Sequence, residues 1–85
     1  MNKYQIVLRP AALRQLKKIN KKERLRLFAA IELLAQDPRP PASRQLKGRD
    51  GWRVRVGNYR IIYTIDDGVL IITIIAVGHR RDVYR

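Results

Sequence analysis

The sequence predicts an α+β fold: two N-terminal helices packed on a mostly antiparallel four-stranded sheet, in the order β-α-α-β-β-β. Three observations predict it. Apolar residues recur at helical spacing from Leu13 to Leu34. The chain then alternates with period two from Trp52, and a short run of β-formers precedes both regions. At 85 residues the chain reads as a single domain over 1–85.

Tyr4-Gln5-Ile6-Val7-Leu8 is the first strand. Pro10 suits the first turn of a helix, which Leu13, Leu16 and Ile19 line on its buried side. Asn20 is the N-cap of a second helix, with Glu23 three residues on in a variant of the capping box. Leu27, Ala30, Ile31 and Leu34 give that helix its buried face. Asp37-Pro38 stops it, because the residue before a proline avoids the helical region. So tight a joint predicts that the helices pack as an antiparallel pair. Arg39-Pro40-Pro41-Ala42-Ser43 is a stiff loop. Trp52 to Val56 is the second strand, Gly57-Asn58 a two-residue hairpin loop, and Tyr59 to Ile65 the return strand. Asp66-Asp67-Gly68 turns the chain into Val69 to Val77. That strand is apolar on both faces and is expected to be central and covered on both sides.

The charge balance narrows the partners. There are 19 Lys+Arg against 7 Asp+Glu, a formal charge of +12. Such an excess points to a polyanion: nucleic acid, ribosome or an acidic protein. With 46% hydrophobic residues the chain is no disordered basic tail. It holds no cysteine and one histidine, so no His/Cys metal site and no cofactor is expected. The only serine, Ser43, lies in the proline-rich loop, which disfavours a Ser-His-Asp triad. Phosphate-binding glycine motifs are absent. Charged residues interrupt the N-terminus, and no apolar run is long enough for a spanning helix. A cytoplasmic protein with no membrane partner is the expectation.

The two-residue loop sets a register. Val56 falls opposite Tyr59, Val54 opposite Ile61 and Trp52 opposite Tyr63, all on one face. On the other face Arg55 falls directly opposite Arg60, with Arg53 beside it. Like charges placed opposite each other destabilise a sheet. The arrangement reads either as a solvated basic face or as an anion site on rigid strands. Arginine's planar fork favours bidentate phosphate contact. His79, Arg80, Arg81 and Tyr84 follow the last strand at once, so the sheet can hold them near this cluster. Taken alone, a histidine is more often structural and a terminal tyrosine more often packs. Together with three arginines they form a phosphate-binding cluster with one titratable ring and one phenol. No acidic pair accompanies it: Asp66 and Asp67 belong to a turn, and Asp37 and Asp50 flank breaks. Two-carboxylate hydrolysis and two-metal phosphoryl chemistry are therefore unsupported.

Over essentially its whole length the chain resembles the RelE group of the RelE/ParE toxin superfamily. The resemblance rests on the element order and on Leu46-Lys47-Gly48, Trp52-Arg53-Val54-Arg55-Val56, Gly57-Asn58-Tyr59-Arg60-Ile61-Ile62-Tyr63 and Gly78-His79-Arg80-Arg81-Asp82-Val83-Tyr84. It implies a toxin of a type II toxin–antitoxin module: a ribosome-dependent endonuclease that cuts messenger RNA in the A site. It also implies an acidic, RelB-like cognate antitoxin, with operator DNA contacted only through that antitoxin. The family's functional positions fall on Arg53, Arg55, Arg60, Arg80 and Tyr84; His79 is added as the one side chain able to exchange protons near neutral pH. Lys47, Arg53, Arg81 and Arg85 are candidates for gripping nucleic acid. The best-known members carry lysines at the positions of Arg53 and Arg55. A general-base role cannot pass to Arg53, because a guanidinium does not deprotonate in proteins. Two other readings stand beside this one: a ParE-like toxin acting on gyrase, and a non-catalytic basic RNA-binding module.

Overall fold

The computed structural model describes residues 3–79, which form five strands and two helices. The elements are β1 (Gln5–Leu8), α1 (Pro10–Lys17), α2 (Lys21–Gln36), β2 (Ser43–Gln45), β3 (Trp52–Val56), β4 (Tyr59–Asp66) and β5 (Ile71–His79). The sheet order is β1-β5-β4-β3-β2. β1 lies parallel to β5, and the other pairs are antiparallel. The α+β class stands, with one strand more than expected. Ser43–Gln45 pairs with β3 at the sheet edge, where the sequence reads as loop and connector. Three residues are too few to display alternation, so only the pairing reveals them.

Pro10 opens α1, and Asn20 caps α2 by accepting a 3.0 Å bond from the Glu23 amide. Ala12 and Leu16 are the buried residues of α1, whereas Leu13 is exposed. The helix ends at Lys17, so four-residue spacing decides its inner side rather than the three-residue series through Ile19. Along α2, Leu27, Ile31, Leu34 and Ala35 are buried, with Ala30 half-buried. Both helices contribute to one core cluster, through Leu16 of α1 and Leu27 of α2. α1 packs over β5, and α2 lies across β1 and β3. Each buries its stripe against the sheet. Gln15 ties α1 to β5 by accepting a 2.8 Å bond from the Val77 amide.

β5 starts at Ile71, because Asp67–Leu70 form the turn and Leu70 adopts a left-handed backbone with φ 58°. One face of β5 is buried through Ile72, Ile74 and Val77. The other is only half-buried at Ile71, Thr73 and Ala76, so the expected cover on both sides is confined to one. The core lies between that first face and the helices, and Leu16, Leu27, Ile61, Tyr63, Ile72 and Ile74 are wholly buried there. No helix among the described residues is long and apolar enough to cross a membrane.

Candidate nucleic-acid interface

The hairpin fixes what faces the core and what does not. Val56 pairs with Tyr59 across two residues, as expected. Gly57 has φ 60° and Asn58 does not share the positive φ, which is the type II′ pattern that places glycine first. The register continues through Arg55↔Arg60, Val54↔Ile61, Arg53↔Ile62 and Trp52↔Tyr63. Val54, Ile61 and Tyr63 enter the core. Trp52 is only half-buried, and the Arg39 guanidinium lies 5.4 Å from its ring centre.

By alternation the arginines occupy the face that the helices leave open. Arg53, Arg55 and Arg60 line one pocket of about 290 Å³, together with Ala42 and Arg44. Arg44 is the member that sequence reasoning missed. It sits on β2 directly opposite Arg53, and only the pairing of that strand brings it in. Its Nη1 donates to the carbonyls of Pro41 and Ser43, both at 2.8 Å, so the guanidinium is oriented before any ligand arrives. Arg60 and Arg53 are half-buried; Nε and Nη1 of Arg60 have almost no solvent contact. Arg55 and Arg44 are exposed. Gly78, opposite Arg60 on β5, presents no side chain to it.

The loop before β2 is pinned to the core. Tyr63 donates its hydroxyl to the Pro38 carbonyl at 2.7 Å, and Ser43 donates its own to Pro40 at 2.7 Å. Burial pushes the Tyr63 phenol up to about 12. At the far end of the loop, Arg39 grips Asp67 through Nη1 and Nη2 at 3.4 and 2.9 Å, and Tyr4 donates to the same carboxylate. The bond from Arg39, then that from Tyr4, holds the Asp67 carboxyl below its ordinary range.

Two of the other expected residues, His79 and Lys47, are placed away from the pocket. His79 pairs with Tyr59 and meets its ring edge-on at 6.0 Å between centroids. That register puts His79 on the helix side of the sheet, facing away from the arginines. Lys47 is exposed in the bend after β2 and does not line the pocket. Arg80, Arg81, Tyr84 and Arg85 lie outside the described residues. No group of three or more His, Asp or Glu side chains able to hold a metal occurs among the described residues. Chemically, the pocket offers strong hydrogen-bond donors and fixed positive charge to an anion.

Comparison with known proteins gives one consistent result. Residues 6–84 match the family described as "ParE toxin of type II toxin-antitoxin system, parDE". An Escherichia coli protein whose name describes it as RelE-like is 28% identical over 86 residues, covering 96% of this chain and 90% of that protein. Toxin RelG of Mycobacterium tuberculosis is 42% identical over 45 residues, 53% of this chain and 49% of RelG. Among solved structures, the RelBE2 toxin–antitoxin complex of Mycobacterium tuberculosis contains a chain similar at TM-score 0.85 and 26% identity, covering 96% of this chain and 97% of that one. The isolated Escherichia coli RelE toxin is similar at TM-score 0.78 and 26% identity, covering 95% and 90% respectively.

Proposed function

Because the chain belongs to the family of ParE toxins of type II toxin–antitoxin systems, and is RelE-like among them, we propose that it is an endoribonuclease. It cleaves messenger RNA in the ribosomal A site and so halts translation. The observation that carries this reading is the pocket of four arginines on three adjacent strands. Guanidiniums held on a sheet suit a phosphodiester better than a flat protein surface, because they present forked donors in fixed positions.

The reaction is an internal transfer. The RNA 2′-oxygen attacks the adjacent phosphorus, the bond to the 5′-oxygen breaks, and a 2′,3′-cyclic phosphate and a 5′-hydroxyl result. The proton of the 2′-hydroxyl leaves to a base, and one proton reaches the departing 5′-oxygen. Arg55 and Arg60 neutralise the charge that grows on the phosphoryl oxygens, usually the largest single contribution. Arg53 grips rather than activates. Arg80 and Tyr84, just beyond β5 in sequence, join the site in this reading. Tyr84 then orients the nucleophile, stacks on a base or takes the proton. His79 stays outside it, on the other face of the sheet. A site so poor in proton-transfer groups gains most of its rate from positioning on the ribosome.

A RelB-like antitoxin of acidic character is the proposed inhibitor. Related RelE chains occur in solved complexes with RelB, and a charge of +12 favours such a partner. The test is induction of the chain in cells, with mapping of new RNA 5′ ends on translated messages and a DNA supercoiling assay in parallel. Cuts within translated codons are expected. Parent toxicity with changed supercoiling and intact messages would instead assign the gyrase-type activity.

A further inference from the structure

The register divides the four arginines into two cross-strand pairs, Arg55 with Arg60 and Arg44 with Arg53. Each pair combines one half-buried guanidinium, Arg60 or Arg53, with one exposed guanidinium. Two residues along β3 and one strand across separate the pair midpoints, roughly 8 Å at the backbone. Long side chains converging on a single pocket shorten that distance toward the step between successive phosphates of one strand. The pocket, at about 290 Å³, exceeds what one phosphate group fills.

We propose that this face is a two-phosphate cradle: Arg55 and Arg60 take the scissile phosphate, and Arg44 with Arg53 takes its neighbour on the same RNA strand. The inference rests on the reading of RNA as substrate. It adds a subsite and a residue, Arg44, whose Nη1 is locked on Pro41 and Ser43 while its other donors remain for the ligand. The assignment to the neighbouring phosphate follows from position. Arg44 lies on the edge strand, two strands from Arg60, whose shielded Nε and Nη1 mark the deeper end of the pocket.

The test uses 2′-O-methyl RNA, which lacks the attacking hydroxyl. A dinucleotide carrying one internucleotide phosphate is compared with a trinucleotide carrying two, by amide-shift titration in NMR. The trinucleotide should bind about tenfold tighter, as an added charge-assisted contact implies. Its affinity should fall more steeply with salt, by about 0.7 in logarithmic slope for the extra phosphate. Arg44→Ala should remove that advantage while leaving dinucleotide affinity within about twofold, since the Arg55–Arg60 subsite survives. Arg14→Ala, which removes the same charge from the exposed side of α1, should keep it. Equal affinity of the parent for both oligonucleotides would overturn the cradle, and so would an Arg44→Ala protein that weakens both alike. Melting curves establish that each variant is folded, and the parent comparison needs no variant. Cleavage on programmed ribosomes is scored separately. Its absence would sink the nuclease reading and leave the oligonucleotide result intact.

Discussion

Tyr63 lets a single hydroxyl be weighed at two pH values. The side chain is wholly buried, and its hydroxyl donates to Pro38 at 2.7 Å. Tyr63→Phe keeps the ring and leaves that carbonyl short of a donor. At neutral pH the loss should be about 1–2 kcal/mol. The sign reverses in alkali. Burial raises the folded phenol to about 12, above an unfolded value near 10. The native state therefore holds this proton more tightly than the unfolded chain does. Its stability is intact below about pH 10 and falls as pH climbs toward about 12, at up to about 1.4 kcal/mol per unit. Over two units the parent forfeits roughly 2–3 kcal/mol that the Phe protein, having no proton there, does not. The two stabilities should cross near pH 11, at about the point where the alkaline loss equals the hydrogen-bond loss. Urea unfolding followed by far-UV circular dichroism, at half-unit steps, measures both curves. Every other ionisable group cancels in the difference. A gap that stays constant from neutral pH to about pH 11.5 would refute the burial of this phenol. With it would go the pin that holds the loop before β2.

Other outcomes follow from the same contacts. Trp52→Ala should cost about 2 kcal/mol, below the range for a fully buried ring, because Trp52 is half-exposed and part of its contact is with Arg39; a loss above about 4 kcal/mol by denaturant titration would mean that the ring is core. Asp67→Asn should lower stability at neutral pH and flatten its acid dependence. The depressed folded pKa of Asp67 gives a contribution present above about pH 4 and lost as pH falls through the folded value, so equal acid profiles for parent and variant would contradict the Arg39 grip. Arg60→Ala should slow single-turnover cleavage on programmed ribosomes by about 10²–10³; full cleavage by the folded variant would remove Arg60 from the site. Arg55→Gln should hold stability or raise it by a few tenths of a kcal/mol, because it ends a direct like-charge pair. That gain should shrink with added salt, and a salt-independent loss would show that the pair is not repulsive.

How far the sequence could be read depended on how local each cause was. The hairpin is local: Gly57-Asn58 admits one tight turn, and alternation then sets the facing of Trp52, Val54 and Val56. Asn20 at the start of α2 is local too. What escaped is non-local. Arg44 is a surface arginine after a proline-rich loop until β2 pairs with β3. The packing of each helix on the sheet depends on a sheet surface that no helix sequence encodes. The inner side of α1 was misplaced by one residue, because eight residues hold too few turns to separate Ala12 from Leu13. His79 is a further non-local case. Alternation from the buried Ile72 and Ile74 would turn it to the arginine face, but an extra residue in β5 between Ile74 and Ala76 shifts the register, so Val77 and then His79, opposite Tyr59, share the helix side.

The same period-two alternation separates stability from function in this fold. Along β3 the odd and even residues go to different destinations: Val54 to the core beneath α2, Arg53 and Arg55 to the open face. A slip of one residue in the hairpin would exchange them, burying guanidiniums against Leu27 and Ile31 and exposing valine. Burying an unpaired charge costs several kcal/mol, so the core itself enforces the register that aligns the arginines. The arginines gain their fixed geometry from a sheet whose main core, with Ile61, Tyr63, Ile72 and Ile74, lies on its other face. Repulsion between Arg55 and Arg60 is then a small local cost, borne by the helix–sheet packing. That division explains how a small domain can hold four cations around one pocket and stay folded. It also means that charge can be added to or removed from the open face, altering what the protein binds, with little consequence for whether it folds.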